Sequence, residues 1–212
     1  PIPSERLLEE QYRISRPTVR QAVELLIRQG FLYREHGRGT YVMPQKLQKG
    51  LLELTSFSED LMKRGIKPGQ IVLKMCREVP PQKVQQKLDL VPDAQVLTIE
   101  RIRLGDGLPI GLQTSYVVLQ TDQTIEKEEL EQAGSLYRIL QDKFQIIPWA
   151  ADETLEVTLA SREEAELLQV NEGSPLLLNE RILWSQDRKA VEFVKILYRG
   201  DRYRYTMRLT RS

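Results

Sequence analysis

Two arginines placed two positions apart, Arg101 and Arg103, are the side chains best suited to ligand chemistry in this sequence. They fall in the segment 96–104, which is predicted to form a strand, so both guanidinium groups leave the same face of a sheet. Two adjacent cations repel each other unless an anion lies between them. The pair therefore indicates either a phosphate or carboxylate site with bidentate hydrogen bonds, or salt bridges to acidic residues on a solvated sheet face.

The register of the next strand determines which neutral side chains join the arginines. If the connecting loop spans residues 105–109, Arg101 lies opposite Gln113, and Ser115 shares the same face. If Asp106-Gly107 alone forms a two-residue turn, the register moves by one residue and Gln113 points away. Both registers are compatible with the sequence. Gln and Ser suit hydroxyl and amide groups of a small polar ligand.

The sequence excludes most familiar catalytic and metal sites. His36 is the only histidine and Cys76 the only cysteine, which rules out a Cys/His zinc site and a CxxC redox pair. No uncharged apolar run approaches the roughly 20 residues needed to cross a bilayer, and the first residues lack a signal-peptide pattern. We therefore expect a cytoplasmic protein with no metal, no cofactor, no catalytic residues and no membrane partner.

Charge is unevenly distributed along the 212 residues, a length that fits one large domain or two small ones. Residues 1–46 contain eight Lys and Arg against five Asp and Glu, whereas the remainder has a net charge of −2. An arginine-rich end on a slightly acidic body is typical of a polyanion-binding module joined to another domain.

The first 43 residues predict two helices followed by a hairpin. Ser4 is placed to cap a helix over 5–12, and Ser15 to cap a second one that tolerates Pro17 in its first turn. In the second helix four apolar residues recur at helical spacing and predict a buried stripe: Val19, Ala22, Val23 and Leu26. Short strands are predicted around a glycine-rich tip that carries Arg38.

A winged helix-turn-helix of this kind suits duplex DNA, because a helix fits the major groove and its N-terminal N–H groups favour phosphate. Outward-facing residues of the second helix can reach base edges or backbone: Arg16, Thr18, Arg20 and Gln21. Arg38, between Gly37 and Gly39, can enter the minor groove. The alternative is that the helices and hairpin merely pack together, with the arginines as solvated surface.

Three motifs in this region resemble the DNA-binding domain of the GntR family of bacterial transcriptional regulators. They are Pro3-Ser4-Glu5-Arg6-Leu7-Leu8, Ser15-Arg16-Pro17-Thr18-Val19-Arg20-Gln21-Ala22 and Gly37-Arg38-Gly39-Thr40-Tyr41-Val42. The resemblance implies that operator DNA is held by Arg6, Arg16, Thr18, Arg20, Gly37, Arg38 and Gly39. Family members have a further helix before the first motif, so this domain is expected to lack its first helix.

Residues 44–50 predict a linker between a DNA-binding domain at 1–43 and an effector-binding and dimerisation domain at 51–212. In the second domain, strands are predicted over 70–79, 96–104, 110–119, 154–159, 175–184, 190–199 and 203–209. Helices are predicted over 55–64, 81–88, 126–132, 135–144 and 161–168. This mixture predicts an α+β fold built on an antiparallel sheet.

Two segments of the second domain, eighty residues apart, resemble each other, and we call this similarity the internal echo. Gln82–Ile102 and Arg162–Ile182 both predict helix, small turn and strand, and both end in Glu-Arg-Ile. Either the unit is duplicated, which would give a pseudo-twofold domain with a ligand cleft between its halves, or amphipathic patterns match by chance.

This domain also resembles the effector-sensing UTRA domain of the HutC branch of the GntR family, whose fold is similar to chorismate lyase. Matching stretches include Thr55-Ser56-Phe57-Ser58-Glu59-Asp60, Glu100-Arg101-Ile102-Arg103 and Ser135-Leu136-Tyr137. From relatives that sense N-acetylglucosamine phosphates, the resemblance implies phosphate contacts from Ser56, Phe57, Ser58, Arg101, Arg103, Ser135 and Tyr137. It implies sugar contacts from Gln113, Glu192 and Tyr198. Position 113 is commonly glutamate in that group, so glutamine leaves the sugar unidentified.

The sequence thus predicts a transcriptional regulator, a repressor by resemblance, that binds double-stranded operator DNA as a homodimer. Its predicted effector is a sugar phosphate such as glucosamine-6-phosphate or N-acetylglucosamine-6-phosphate. The alternatives are a regulator sensing a non-phosphorylated or carboxylate effector, a DNA-binding protein whose second domain only dimerises, and a lyase-like enzyme.

Overall fold

The computed structural model describes residues 1–28, 31–35, 38–42, 47–50 and 54–206, and the chain forms two compact units, Pro1–Gln45 and Lys46–Ser212. The boundary between the units falls inside the predicted linker. That prediction is wrong over Leu47–Gly50, which form a strand, β3, of the second unit. The strand is absent from the sequence pattern because its partner lies more than 150 residues further along the chain.

The first unit has the predicted order of two helices and a hairpin: α1 (Glu5–Tyr12), α2 (Arg16–Arg28), β1 (Leu32–Glu35) and β2 (Gly39–Val42). Ser4 caps α1 by accepting a hydrogen bond from the backbone N–H of Leu7 at 3.3 Å. Val19 and Val23 of α2 pack with Leu32 of β1 as a small core. His36 and Gly37, at the tip of the predicted hairpin, lie outside the described residues.

The predicted apolar stripe on α2 is wrong for two of its four residues. Ala22 and Leu26 are exposed, whereas Val19 and Val23 are buried. The buried part of the helix is narrower than its apolar stripe because the small core is formed on one side of α2 only.

The described helices of the second unit are α3 (Phe57–Lys63), α4 (Gln82–Lys87), α5 (Lys127–Ala133), α6 (Leu136–Phe144) and α7 (Arg162–Leu168). Its further strands are β4 (Pro68–Glu78), β5 (Val96–Gly105), β6 (Leu108–Val117), β7 (Pro148–Leu159), β8 (Pro175–Ser185), β9 (Ala190–Arg199) and β10 (Tyr203–Thr206). The predicted α+β class is confirmed. Each predicted element of this unit is present, β7 begins at Pro148 rather than at 154, and residues 207–209 of the last predicted strand lie outside the described residues.

Six of these strands form one antiparallel sheet in the order β4-β5-β6-β9-β8-β7. The order is symmetric about the centre of the sheet. Each half consists of a strand, a helix and a hairpin, β4-α4-β5-β6 and β7-α7-β8-β9, and equivalent strands of the two halves lie at equal distances from the centre. The internal echo of the sequence covers the helix and following strand of each half. The two halves meet where β6 pairs with β9 at the centre of the sheet.

The hairpin between β5 and β6 combines features of both predicted registers. Asp106 and Gly107 form a two-residue turn with φ of 49° and 79°, as in a type I′ hairpin. A bulge next to Leu104 then shifts the pairing, so Arg101 still lies opposite Gln113. The longer loop was the wrong prediction, but the register inferred from it is correct because turn and bulge compensate each other.

The two faces of the sheet are covered by different elements. On one face pack α3, α5, α6 and β10, with Leu61, Leu130 and Leu140 fully buried. On the other face pack α4 and α7. β10 also pairs in parallel with β3, the first described segment of this unit. Among the described residues, no helix is long and apolar enough to cross a membrane.

Candidate functional site

One face of the sheet carries rows of polar side chains from the three strands β5, β6 and β8. Residues directly opposite each other on neighbouring strands share a face. Arg101, Gln113 and Asn179 belong to one such row, and Ser115 and Arg181 to the next row on the same face. All five side chains are buried. Buried polar groups in such number, under the helices that pack on this face, indicate a binding site.

The structure places the ten residues predicted to bind an effector around one cavity of about 40 Å³. These are Ser56, Phe57, Ser58, Arg101, Arg103, Gln113, Ser135, Tyr137, Glu192 and Tyr198. They come from α3, β5, β6, α6 and β9, which are separated by up to 142 positions in the chain. Each residue's role in binding remains a prediction.

The first turns of two helices point toward the cavity. Ser56 is the N-cap of α3 and forms a capping box with Glu59, and Ser135 is the N-cap of α6. Helix N-termini carry unpaired N–H groups and a partial positive charge, which favour anions. Ser58, in the first turn of α3, donates a hydrogen bond to the carbonyl oxygen of Gly134 at 2.6 Å and so joins the two turns.

Arg101 and Arg103 are neighbouring buried cations of the cavity, with 2% and 3% of their surface exposed. Burial lowers the pKa of Arg101 to about 10, and burial together with neighbouring Arg101 lowers the pKa of Arg103 well below its ordinary value. The Nε atom of each arginine is buried without a hydrogen-bond partner. The Arg103 guanidinium also lies 4.3 Å from the centre of the Phe57 ring. An anion between the two arginines would reduce the repulsion between their charges and accept hydrogen bonds from the unpaired Nε–H groups.

The cavity also contains acceptors without donors. Oε1 of Gln113 and both carboxylate oxygens of Glu192 are buried and have no donor in full hydrogen-bond geometry, although the Ser115 and Tyr137 hydroxyls lie close enough to Glu192 to lower the pKa of its carboxyl. Burial raises the pKa of the Glu192 carboxyl above its ordinary value. A buried acceptor left unpaired costs about 1–3 kcal/mol, and more if it is charged. A ligand that donates N–H or O–H groups to these atoms would therefore be bound favourably.

Arg181 is a cavity residue that the sequence analysis missed. It lies on β8, forms a buried ion pair with Glu153 of β7, and donates hydrogen bonds to the Tyr137 hydroxyl at 3.1 Å and the Thr55 carbonyl at 3.3 Å. The internal echo was the signal that could have found it, because the Glu-Arg-Ile repeat places Arg181 where the first half has Arg101. Unlike Arg101, this arginine already has a carboxylate partner.

Stacked tyrosines form another wall of the cavity. The rings of Tyr198 and Tyr203 are parallel, with centroids 3.9 Å apart, and burial raises the pKa of Tyr198 to about 12. Tyr203, on β10, donates a hydrogen bond to Asp60 of α3 at 3.1 Å. Gly111 leaves room for Tyr198, since a Cβ at this position would meet the ring at 3.1 Å.

The residues predicted to contact DNA lie on the surface of the first unit. The side chains of Arg6, Arg16, Arg20 and Arg38 are between 64% and 80% exposed. Each pairs with a glutamate of its own unit, at 2.9–3.8 Å. Thr18, Gln21 and Gly39 are also exposed, whereas Gly37 lies outside the described residues. Such exposed pairs contribute little to stability and can be exchanged for DNA phosphates.

Replacing Glu192 with glutamine is expected to stabilise the second unit at neutral pH but not in acid. Because burial raises the carboxyl pKa in the folded state, the folded protein holds this proton more tightly than the unfolded chain. The wild-type protein therefore loses stability as the pH rises above about 4.3, through the folded pKa, whereas glutamine has no proton to lose. Above the folded pKa we expect a melting midpoint higher by at least about 2 °C.

This comparison can be made by tryptophan fluorescence during heating, because Trp149 and Trp184, the only tryptophans, both lie in the second unit. Measurements between pH 4 and pH 8 should show the difference between variant and wild type shrinking as the pH falls. Glu156→Gln, at an exposed position of β7, is the control. A difference that does not vary with pH would refute the assignment to the Glu192 proton.

Known proteins match both units. The sequence model of the UTRA domain family matches residues 63–204, and that of the bacterial regulatory proteins of the gntR family matches residues 1–42. The HTH-type transcriptional repressor NagR of Bacillus subtilis (strain 168) is 34% identical over 206 residues, which cover 97% of this chain and 84% of that protein. The HTH-type transcriptional repressor PhnF of Mycolicibacterium smegmatis is 31% identical, with coverage of 97% and 83%.

The crystal structure of PhnF from Mycobacterium smegmatis has the same fold, with a TM-score of 0.69 and 28% identity over 100% of this chain and 92% of that chain. These matches confirm the predicted family and fold, and the relatives are transcriptional regulators rather than enzymes. The chain therefore belongs to the GntR family of bacterial regulatory proteins, as a DNA-binding transcriptional regulator whose second unit is a UTRA effector domain.

Proposed function

We propose that the chain is a homodimeric repressor whose UTRA domain binds a phosphorylated amino sugar, with glucosamine-6-phosphate and N-acetylglucosamine-6-phosphate as the first candidates. The observation that carries the proposal is the set of unpaired polar atoms around one cavity. Arg101 and Arg103 offer buried donors for a phosphate, and Glu192 and Gln113 offer buried acceptors for hydroxyl and amino groups. A sugar phosphate carries both kinds of partner in one small molecule.

Binding requires the cavity to enlarge. Its volume of about 40 Å³ is far below the roughly 300–1,000 Å³ of small-molecule sites. A cleft of about 870 Å³ adjoins the cavity and shares Ser58, Ser135 and Tyr137 with it. The effector enters from this outer cleft, and the first turns of α3 and α6 move apart to admit it.

Effector binding changes the spacing of the two DNA-binding units of the dimer, on which simultaneous contact with two operator half-sites depends. The turn Ser56–Ser58 and Tyr203 of β10 both line the cavity, and β10 pairs with β3. Both elements therefore connect the cavity to the segment of the chain that follows the DNA-binding unit. Effector and operator must affect each other's affinity by the same factor.

Thermal unfolding in the presence of sugar phosphates and of their unphosphorylated parents tests the effector class. A ligand at 100 times its Kd should add about 2.7 kcal/mol to the free energy of unfolding. We expect stabilisation by glucosamine-6-phosphate or N-acetylglucosamine-6-phosphate and none by the parent sugars. Equal stabilisation by the parents would refute the phosphate site, and stabilisation only by carboxylates such as gluconate would favour the second candidate, a carboxylate effector. That candidate rests on the same arginine pair, which also suits carboxylates.

Substituting Arg20 tests the DNA-binding surface. Arg20→Ala is expected to weaken operator binding roughly ten- to hundredfold, because an arginine that contacts DNA contributes about 1–3 kcal/mol. Its side chain is 64% exposed and pairs with Glu24 at 3.5 Å, so its loss should not affect folding. Fluorescence anisotropy with operator DNA measures the effect, with Arg162→Ala, at an exposed position of α7, as the control. Unchanged operator affinity in Arg20→Ala would remove this residue from the DNA contacts.

A further inference from the structure

The side-chain amide of Gln70 joins the two buried arginines of the cavity. Gln70 lies on β4 directly opposite Arg103, and its Oε1 accepts hydrogen bonds from Nη1 of Arg103 at 2.8 Å and Nη1 of Arg101 at 3.1 Å. Its Nε2 donates to the carbonyl oxygen of Leu130 in α5 at 2.8 Å. These three bonds set the orientation of the amide, because the reversed orientation would point N–H groups at two cations and the amide oxygen at the Leu130 carbonyl.

The shared acceptor leaves one edge of each guanidinium group for a ligand. Nη1 of both arginines is occupied by Gln70, whereas Nε of both is buried and unpartnered. The Nη2 atoms make the longer contacts, 3.4 Å from Arg101 to Ser115 and 3.2 Å from Arg103 to Ser58. Nε and Nη2 together form a fork that can bind two oxygens of one anion.

We propose that Gln70 is a positioning residue that holds Arg101 and Arg103 ready for an anion. A neutral acceptor keeps two repelling cations together without cancelling their charge, so the full charge of the pair remains for the effector. A carboxylate at the same place would accept the same hydrogen bonds but neutralise one of the two charges. Gln70 lines the outer cleft and acts on the effector through the arginines. The inference rests on the proposed function, because it requires an anionic effector.

The Gln70→Glu variant separates positioning from charge. We expect its affinity for glucosamine-6-phosphate, measured by calorimetry, to fall by at least about tenfold, because the effector phosphate then meets a partly neutralised pair. The melting midpoint without effector should change little, since the stronger bonds from both arginines to a carboxylate offset the loss of the hydrogen bond from Nε2 to the Leu130 carbonyl oxygen. Operator affinity without effector should be unchanged. Gln86→Glu adds the same charge at an exposed position of α4, on the other face of the sheet, and is the matched control.

Nuclear magnetic resonance of arginine side chains in the wild-type protein gives a second test that does not depend on this variant. The Nε–H resonances of Arg101 and Arg103, assigned from single lysine variants, should move when glucosamine-6-phosphate saturates the protein. If neither resonance moves, the proposal that the effector binds the edge formed by Nε and Nη2 is overturned. Equal effector affinity in wild type and Gln70→Glu would overturn the role of Gln70 alone, whereas no binding to the wild type would refute both this inference and the proposed effector.

Discussion

The double variant Arg101→Met, Arg103→Met is expected to lose its response to a phosphorylated effector while keeping its fold and its operator affinity. Hydrogen bonds to charged groups contribute about 1.5–3 kcal/mol each, so loss of both guanidinium groups should raise the effector Kd at least about a hundredfold. Calorimetry with glucosamine-6-phosphate measures this loss. Methionine approximately preserves the buried volume, which avoids the cavity that alanine would leave.

Stability distinguishes a ligand-binding pair from a structural one. Burial and mutual repulsion lower the pKa of both arginines, which means that the folded state disfavours their charges. Replacing buried charges by apolar side chains of similar volume is often neutral or stabilising. We therefore expect the melting midpoint of the effector-free variant to be unchanged or higher. A large fall in the midpoint, together with unchanged effector affinity, would show that the arginines are structural.

The Arg181→Met variant is expected to have the opposite effect on stability. Arg181 and Glu153 form a largely buried ion pair, and removal of the arginine deprives the Glu153 carboxylate of this charged partner, which costs up to about 3–5 kcal/mol. The Tyr137 hydroxyl and the Thr55 carbonyl would also lose their donor. Urea unfolding followed by fluorescence of the two tryptophans should show a midpoint clearly below that of the wild type.

A double-mutant cycle attributes this loss to the ion pair. The variant Arg181→Met, Glu153→Gln should recover part of the stability lost by Arg181→Met alone, because the carboxylate that loses its arginine partner is also removed. Arg162→Met, which removes an exposed arginine with a glutamate partner in α7, is the control. If the effects of the two single substitutions simply add, the pair does not contribute as an ion pair, and Arg181 acts through its other contacts.

In the hairpin that carries the arginines, the face of each arginine could be predicted from the sequence, whereas the strand register could not. The spacing of Arg101 and Arg103 was sufficient to place both on one face, since side chains alternate along any strand. The position of Gln113 was ambiguous because a one-residue shift reverses its face, and turn type and bulge both change the register. The structure contains the turn of one prediction and the pairing of the other.

The internal echo corresponds to the symmetry of the sheet. The repeated Glu-Arg-Ile indicated a pseudo-twofold arrangement, and the palindromic strand order has that arrangement. Arg181 accordingly faces the same cavity as Arg101. Glu153, the partner of Arg181, could not be paired with it from local patterns, because the two residues meet only when β7 and β8 associate.

The sequence by itself determined the elements of the second unit other than β3, the helix-turn-helix and hairpin of the first, and the family, because hydrophobic period, helix caps and local motifs depend on residues near one another in the chain. The tertiary structure decided what the polar residues do. Gln70 bridges Arg101 and Arg103 from 31 and 33 positions away, and Arg181 reaches Thr55 across 126 positions. Such contacts depend on strand order, register and the placement of helices over the sheet, which arise only when distant segments pack together.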